Sequence, residues 1–379
     1  MFEQMRGLNL EQSKRLNNFS DLNERVQKQH ALNYPDRVVE LSTIRFTPSM
    51  DVEIPKVGAF VMTDWAKKQL GTLLGVQWDK WFDGNLVNAQ QVQEEVNRRF
   101  SKTHAKAKLR TTHFSPGANG KNADGSLRAI VGPGYHPIDD ARVFERLSCS
   151  FKNEIDQLKF LPHHGRSRWG NDHCNYYTVV GSGVNVGDLE YNHPEQAVQD
   201  AYKVAGGEGA LGKEDWIYQG FTIRNSEVGY TALIVDEFFL RLVCNNGAIV
   251  QAGGGRMMYR QHRTINDAEL DGQLRGVFAK APERWGTTHK LMLALRATNV
   301  LEPLAKLDDL LEKEGSTKKF RELAAEMFKT EPLPTAWGMF NAITRAAKES
   351  DDLDKRYDAE SLAGLFMSKY GARLAPIIH

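Results

Sequence analysis

The segment Gly207–Glu214 carries the sharpest chemical motif of the chain, because its sequence GEGALGKE follows the glycine and lysine spacing of a phosphate-binding loop. In such loops the backbone and the lysine hold the phosphates, and a following Ser or Thr hydroxyl binds Mg²⁺. Here Glu214 stands at the hydroxyl position, where its carboxylate would repel phosphates. The preceding residues are also predicted to be helical, where a phosphate loop needs a strand. We therefore interpret this segment as a flexible connection and predict no cofactor.

A metal site is the chemistry that two pairs of residues offer, His163–His164 and His173–Cys174. Together they could supply four zinc ligands, but paired zinc ligands are usually separated by two to four residues, and adjacent side chains rarely reach one ion. Arg166 and Arg168, between the two pairs, would also repel a divalent cation. A basic loop is the favoured interpretation, and a metal site is the alternative.

Acidic pairs could supply catalytic groups at two places. Asp139–Asp140 could hold a divalent metal, but acids are also favoured at the start of a helix, which these residues are predicted to begin. Asp236 and Glu237 are adjacent in a predicted strand, where alternation places them on opposite faces. Gly181–Gly183 is too short for a nucleophile elbow of the Gly-x-Ser-x-Gly type. The sequence therefore predicts no catalytic residue and favours a protein that is not an enzyme.

Positive charge is concentrated in the middle of the chain. The formal net charge is only +1, yet residues 97–171 hold 14 Lys/Arg against 6 Asp/Glu, a net +8. Residues 301–360 hold 10 Lys/Arg against 14 Asp/Glu, a net −4. Such asymmetry indicates one surface for a polyanion and another for a different partner.

Three basic segments carry this charge: a predicted hairpin over Lys102–Arg128, and the loops Leu161–Trp169 and Gln251–Arg263. Cations that follow a phosphate backbone, together with rings that stack on bases, are typical of single-strand binding. Trp169 and Tyr259 are the predicted stacking residues. The complete predicted nucleic-acid-binding set is Lys102, Lys106, Lys108, Arg110, Lys121, Arg128, Arg166, Arg168, Trp169, Arg224, Arg256, Tyr259, Arg260 and Arg263.

Arg224 and Arg241 lie among apolar residues of predicted strands and need a separate explanation. If they share a sheet face, they form a cationic stripe across it. Otherwise each requires a buried acidic partner.

The elements that would position these residues follow from hydrophobic periodicity and turn signals. Thr63 begins a predicted helix that Gly75 ends, and further helices cover Val87–Phe100 and the residues after Ile138. Lys106–Thr112 and Ser126–Val131 alternate as the two strands of a hairpin, whose tip is Ser115–Gly125. Later strands are predicted at Asn175–Val180, Ile217–Arg224 and Tyr230–Val243.

From Ile265 onward the pattern is helical, with predicted helices at Asp267–Phe278, Thr287–Thr298, Glu302–Glu314, Lys318–Lys329, Thr335–Lys348 and Glu360–Ala372. We predict an α+β fold with a central antiparallel β-rich module, flanking helices and a helical C-terminal region. The predicted organisation is an N-terminal helical arm over residues 1–35, an α+β core with the basic hairpin over 36–264, and a helical region over 265–379.

The three cysteines, Cys149, Cys174 and Cys244, are widely spaced, imply no disulfide framework and fit a reducing compartment. Met1–Leu32 has no apolar segment of the signal-peptide type. Nowhere do about 18 apolar residues run together, as a membrane-spanning helix requires. We expect a cytoplasmic protein without a membrane partner.

Several segments together resemble a family found on phages and plasmids, the phage/plasmid-like domain of unknown function. The resemblance rests on Thr63–Ala66, Leu127–Ile130 and Gly134–Asp139, and most on Phe221–Tyr230 (FTIRNSEVGY) and Phe239–Ile249 (FLRLVCNNGAI). It covers about half of the chain and implies a role on mobile elements that pass through single-stranded intermediates. A helix followed by a basic hairpin is also similar in general shape to single-strand DNA annealing proteins.

These observations predict a non-catalytic DNA-binding protein that prefers single strands, forms a homo-oligomer, and serves annealing or recombination on a phage or plasmid. Two alternatives stay open. One is a protein-interaction or anti-defence factor whose acidic C-terminal helices contact a host protein. The other is a metal-dependent enzyme that uses Asp139, Asp140 or the His163–His173 region.

Overall fold

The predicted α+β fold is confirmed by a computed structural model, which describes residues 17–49, 51–75, 89–113, 124–150, 159–160, 174–185, 216–241, 246–250 and 258–371. The described chain begins with strand β1 (Asn17–Asn18) and helix α1 (Phe19–His30). Two β-sheets follow, and each has its own helices and its own hydrophobic core. No helix within these ranges is both long and apolar enough to cross a membrane.

The first sheet has six strands in the order β2-β6-β7-β5-β4-β3. Its strand β5 pairs with β7 in parallel, so this sheet is mixed and departs at that pair from the predicted antiparallel module. The parallel pair arises because two helices cross over between β5 and the hairpin. The strands are β2 (Arg37–Glu40), β3 (Arg45–Phe46), β4 (Val52–Ile54), β5 (Gly58–Met62), β6 (Lys106–His113) and β7 (Gly125–Val131).

Strands β6 and β7 confirm the predicted basic hairpin. Their antiparallel register shifts between Arg110 and Thr111, and the bulge leaves Arg128 without a directly opposed residue. Alternation puts Lys106, Lys108 and Arg110 on one face of the sheet, while Ala107 and Leu109 face the hydrophobic core. The tip of the hairpin, residues 114–123, lies outside the described ranges.

Two helices cover the core face of the first sheet, α2 (Asp64–Leu74) and α3 (Ala89–Phe100). The predicted ends of α2 are confirmed, since the Thr63 hydroxyl accepts from the Ala66 N–H and Gly75 adopts the left-handed conformation at φ 67°. Leu70, Val96 and Phe100 from these helices pack among the strand residues.

The second sheet is antiparallel, in the order β1-β8-β9-β10-β11-β12, with a further strand beside β11. Helix α4 (Asp140–Ser150) precedes its main strands. The strands after β1 are β8 (Lys159–Phe160), β9 (Asn175–Asn185), β10 (Trp216–Asn225), β11 (Leu233–Arg241), β12 (Asn246–Val250) and β13 (Met258–Arg260). Of these, β9, β10 and β11 confirm the three strands predicted between residues 175 and 243.

The C-terminal helices pack against the second sheet and differ from the prediction at two places. Asp267–Ala297 is one helix through Pro282, where two helices were predicted. The last helix begins at Leu353, because Asp352 accepts from two backbone N–H groups, and so starts earlier than the predicted Glu360. The helices are α5 (Asp267–Ala297), α6 (Pro303–Lys313), α7 (Lys318–Thr330), α8 (Ala336–Lys348) and α9 (Leu353–Phe366), followed by a π-helical turn at Met367–Gly371.

One continuous hydrophobic core joins the second sheet to helices from both ends of the chain. Helix α1 belongs to it: the Phe19 ring stacks on Phe144 of α4 with centroids 5.6 Å apart. The described part of the predicted N-terminal arm therefore packs within this fold. Trp65, Ala129 and Val228 form a small third cluster, in which α2 and the first sheet touch residues that follow β10. Beside this cluster the two halves of the protein meet through polar side chains.

Candidate functional site

The predicted nucleic-acid-binding residues divide into three groups by their placement. One group is exposed on the surface, and a second group is held inside the protein by other side chains. The third group lies outside the described residues, as do the phosphate-loop-like segment Gly207–Glu214 and the His163–His173 candidate metal site. This third group comprises Lys121, Arg166, Arg168, Trp169 and Arg256.

Arg110 and Arg128 are buried, which corrects their prediction as phosphate contacts. Their exposed fractions are 4% and 5%. The Arg110 guanidinium lies 3.0 Å from Asp36 and 2.8 Å from Asp139, and it also donates to the Glu227 carbonyl. Arg128 lies 2.9 Å from the Glu227 carboxylate. A phosphate could reach neither guanidinium without separating these buried ion pairs.

Arg260 and Arg224 are also held by protein groups. Arg260 forms an ion pair of 3.0 Å with Glu269 in the first turn of α5. Arg224 lies 3.8 Å from Asp354 and among three tyrosine rings. Of the two explanations for this residue, a cationic stripe across the sheet or a buried acidic partner, the structure supports the acidic partner. The side chain of Arg241 lies outside the described part of the structure.

Acids from other parts of the chain neutralise much of the positive charge of residues 97–171. Glu95 binds Arg98 and Arg99 within helix α3, each at 2.7 Å. Arg142 binds Asp267 of helix α5, at 2.7 Å. The net +8 of that segment is therefore not a net +8 of the surface above it.

Five predicted residues remain on the surface and form what we call the basic strip: Lys102, Lys106, Lys108, Tyr259 and Arg263. Lys102, Lys106 and Arg263 are exposed, Lys108 is half-buried, and Tyr259 is 55% exposed. Neither Lys102 nor Arg263 has a carboxylate within ion-pair distance among the described residues.

One acid lies beside the basic strip. Glu40 is the cross-strand partner of Lys106, but its carboxylate binds Ser42 at 2.7 Å and His104 at 2.8 Å. These bonds account for the lowered pKa of Glu40, with the Ser42 hydroxyl as the main cause. The Lys106 charge makes a smaller contribution to the same lowering, although Lys106 and Glu40 form no ion pair within 4 Å.

A loop connects the two parts of the basic strip. The Lys108 ammonium donates to the carbonyl of Tyr135, whose ring stacks on His262 with centroids 5.4 Å apart. His262 in turn accepts from the Ile138 N–H at 2.9 Å. Since Arg263 follows His262 directly, Lys108 and Arg263 flank the same loop, whose residues Gly132–Gly134 are exposed.

Beneath this loop lies a buried polar network, the polar seam, where the two sheets meet. Its centre is Asp140 at the start of α4, which accepts hydrogen bonds from Tyr177 at 2.7 Å and Asn225 at 2.6 Å. The Asp140 N–H donates to Glu227 at 2.9 Å. The seam comprises Asp36, Arg110, Arg128, Asp139, Asp140, Asn175, Tyr177, Asn225 and Glu227.

Burial and neighbouring charges shift the pKa values of Asp140 and Glu227, two carboxyl groups of the seam, in opposite directions. Burial, then the Glu227 charge, raises the pKa of Asp140 to about 7. Glu227 is buried too, but Arg128 and Arg110 outweigh the burial and lower its pKa. Beside the seam, burial and then the Arg110 charge lower the pKa of His262 to about 4. A neutral His262 can accept the hydrogen bond that holds the loop.

The side chains of the seam pair with each other. Asp139 forms an ion pair with Arg110, and Asp140 accepts hydrogen bonds from an amide and a hydroxyl group, so protein donors already bind both carboxylates that were considered as metal ligands. Within the described ranges, no group of three or more His, Cys, Asp or Glu residues is placed to hold one.

The polar seam is not predictable from the local sequence pattern. The structure brings to it Asn225–Ser226 and Gly134–Asp139, two of the segments that carry the resemblance to the phage/plasmid-like family. The signal that the sequence offers is Glu227, an acid between two β-prone strands, together with Arg110 and Arg128, which interrupt apolar strands. A buried acid needs such partners.

Comparison of this chain with known protein families, with curated proteins and with solved structures finds no match.

Proposed function

We propose that this protein binds single-stranded nucleic acid, DNA in the first place, as a non-catalytic homo-oligomer in the cytoplasm. The observation that carries the proposal is the basic strip: exposed cations before β6, at its start and after β13, together with an exposed tyrosine within β13. Cations that follow the phosphates and a ring that stacks on a base are the usual components of single-strand binding.

The contrast between the strip and the arginines held in ion pairs supports this reading. Arg110, Arg128 and Arg142 have carboxylates within 3 Å, as expected for residues that stabilise the fold. Lys102 and Arg263 are exposed and carry no such partner among the described residues. Exposed cations without partners keep their charge available for a polyanion.

Tyr259 supports the preference for single strands. A tyrosine at the surface can stack on an unpaired base, whereas bases inside a duplex already stack on their neighbours. At 55% exposure Tyr259 is one of the few large hydrophobic side chains that are exposed to solvent among the described residues. The resemblance to phage and plasmid proteins adds the biological setting, annealing or recombination through single-stranded intermediates.

The test is fluorescence anisotropy of a labelled oligonucleotide at several salt concentrations, beginning near 50 mM. Lys102→Ala/Lys106→Ala should bind more weakly and should reduce the slope of log affinity against log salt by about 1.4, roughly 0.7 for each lost single-strand phosphate contact. The matched control is Lys318→Ala/Lys319→Ala, which removes two exposed lysines from α7. An absence of binding by the unmodified protein at low salt would refute the proposal, and equal losses in both variants would refute the assignment to the strip.

Strand preference is tested separately with Tyr259. Tyr259→Ala should lower the affinity for single strands by about 5- to 160-fold, since one stacked base contributes about 1–3 kcal/mol. Tyr259→Phe keeps the ring and should bind normally. Unmodified protein that binds duplex and single strand equally would contradict the preference and leave nucleic-acid binding in place.

A further inference from the structure

A row of four side chains crosses one face of the second sheet. Tyr259 is opposite Ile234, Ile234 is opposite Arg224, and Arg224 is opposite Tyr176. Directly opposed residues of antiparallel strands point to the same face. With strands about 4.8 Å apart, the row spans roughly 15 Å. It begins at the exposed Tyr259 of the basic strip and continues beneath helix α9.

Arg224 lies in a cage of aromatic rings at the centre of this row. Its guanidinium carbon is 4.8 Å from the centroid of Tyr357, 5.5 Å from Tyr176 and 5.6 Å from Tyr230. The buried Nε atom has no hydrogen-bond acceptor among the described residues. Asp354 is the carboxylate beside it, at 3.8 Å from Nη2, too far for a bidentate pair. The Cys174 thiol is a further hydrogen-bond partner of this side chain, so the donor that a phosphate could use is the unpartnered Nε atom.

Helix α9 covers the row with a stripe of residues that changes character halfway. The buried residues of its first half are Asp354, Tyr357 and Glu360, which all carry oxygen atoms. Those of its second half include Ala363 and Phe366, which belong to the hydrophobic core. The second half is therefore anchored by apolar burial. The first half contributes one large ring, Tyr357, which packs on Tyr176 with centroids 5.5 Å apart, so its release exposes these two rings unless bound bases cover them.

The contacts of the first half are hydrogen bonds and charges of the kind that water or a nucleic acid can replace. The Tyr357 hydroxyl donates to Asp236 of β11, and the Tyr176 hydroxyl donates to Asp354. Beneath these groups are two aromatic rings on the sheet side, Tyr176 and Tyr230, and the Arg224 guanidinium.

We propose that this face is an inner part of the nucleic-acid site, closed by the first half of α9, with Asp354 in the position that a phosphate takes in the open form. The inference rests on the proposed function, because the strand that lies along the basic strip enters this face at Tyr259. Opening frays the first two turns of α9, after which Tyr176 and Tyr230 stack on bases and Arg224 binds a phosphate. The acidic helix thus acts as an autoinhibitory segment.

The principal test is oligonucleotide affinity of the full-length protein with Asp354→Asn. This substitution removes the charge that competes with phosphate, and we expect about tenfold tighter binding, because apparent affinity rises with the population of the open form. Asp354→Asn/Arg224→Gln should lose that gain. Glu326→Gln removes one acid from an exposed site on α7 and controls for net charge, so its affinity should be unchanged.

The outcomes separate this inference from the proposed function. If unmodified protein binds and Asp354→Asn binds no more tightly while remaining folded by circular dichroism, the autoinhibitory role is refuted and the basic strip stands. If neither protein binds at low salt, both proposals fail.

A second measurement needs no substitution. Hydrogen–deuterium exchange of the unmodified protein should show faster exchange in residues 357–364 when an oligonucleotide is bound, because their N–H groups donate to carbonyls of the first two turns, and no change in 365–366. Unchanged exchange in 357–364 with the oligonucleotide bound would overturn the opening of α9. Tyr357→Phe, which removes only the hydroxyl that binds Asp236, should speed exchange in the same residues without ligand.

Discussion

Removal of one charge from the polar seam should destabilise the protein strongly. Glu227→Gln keeps the shape of the side chain but takes away the carboxylate that lies 2.9 Å from Arg128. Breaking a buried ion pair by changing one partner costs about 3–5 kcal/mol, because the other charge loses its compensation. Asp36 and Asp139 still face Arg110, so the second guanidinium remains compensated.

One consequence of the substitution offsets part of this cost. The Glu227 charge is the second cause of the raised pKa of Asp140, after burial. Without that charge, Asp140 ionises more easily near neutral pH, and each pKa unit recovered is worth about 1.4 kcal/mol. We therefore expect a net loss of about 3 kcal/mol in the free energy of unfolding at pH 7.

The assay is equilibrium urea unfolding followed by both tryptophan fluorescence and far-UV circular dichroism, whose coincidence justifies a two-state treatment. Glu326→Gln, an exposed acid, is the matched control and should change stability by less than about 0.5 kcal/mol. In a double-mutant cycle with Arg128→Gln, the double variant should lose less than the sum of the single losses. A loss below about 1 kcal/mol for Glu227→Gln would refute the view that the seam holds the two sheets together.

Two further substitutions test the surroundings of the seam. The pKa of His262 is lowered to about 4 in the folded protein. Between about pH 6.5 and pH 4 the unfolded chain therefore binds a proton at His262 that the folded protein does not bind, so the free energy of unfolding should fall as the pH drops through this range. His262→Asn keeps an acceptor for Ile138 and cannot titrate; over that window it should lose about 3 kcal/mol less than the unmodified protein, and parallel urea curves would contradict this. Gly125→Ala places a Cβ 1.9 Å from the Thr112 carbonyl oxygen and should cost at least about 1–3 kcal/mol. Gly132→Ala, with no atom within 4 Å, should be neutral in the same thermal melts, and equal melting temperatures for both variants would refute the clash.

Local structure was predictable wherever its cause lies within a few residues. Helix α2 is the clearest case, because Thr63 supplies the N-terminal cap and Gly75 the left-handed end, and both signals are read directly from the sequence. Alternation likewise placed β6 and β7 as a hairpin. Where tertiary packing overrides a local signal, the prediction was wrong: the helix α5 continues through Pro282.

Which arginines are free for a ligand was not predictable. Arg110 is a cation on the same strand face as the exposed Lys106 and the half-buried Lys108, yet its partners lie 29, 74 and 117 positions away in the chain. No pattern of nearby residues reports such distant contacts. The concentration of charge in residues 97–171 was therefore a true property of the sequence and a poor guide to the surface.

The α+β class, most elements and the types of side chain available for binding follow from periodicity and short-range capping, which are local features of the chain. How those side chains are used depends on tertiary packing. It buried Arg110 and Arg128 against Glu227 and the aspartates, covered Arg224 with an acidic helix, and left Lys102, Lys106 and Arg263 at the surface. The physical reason is that a buried charge is stable only beside a compensating one, and the fold chooses which charges meet.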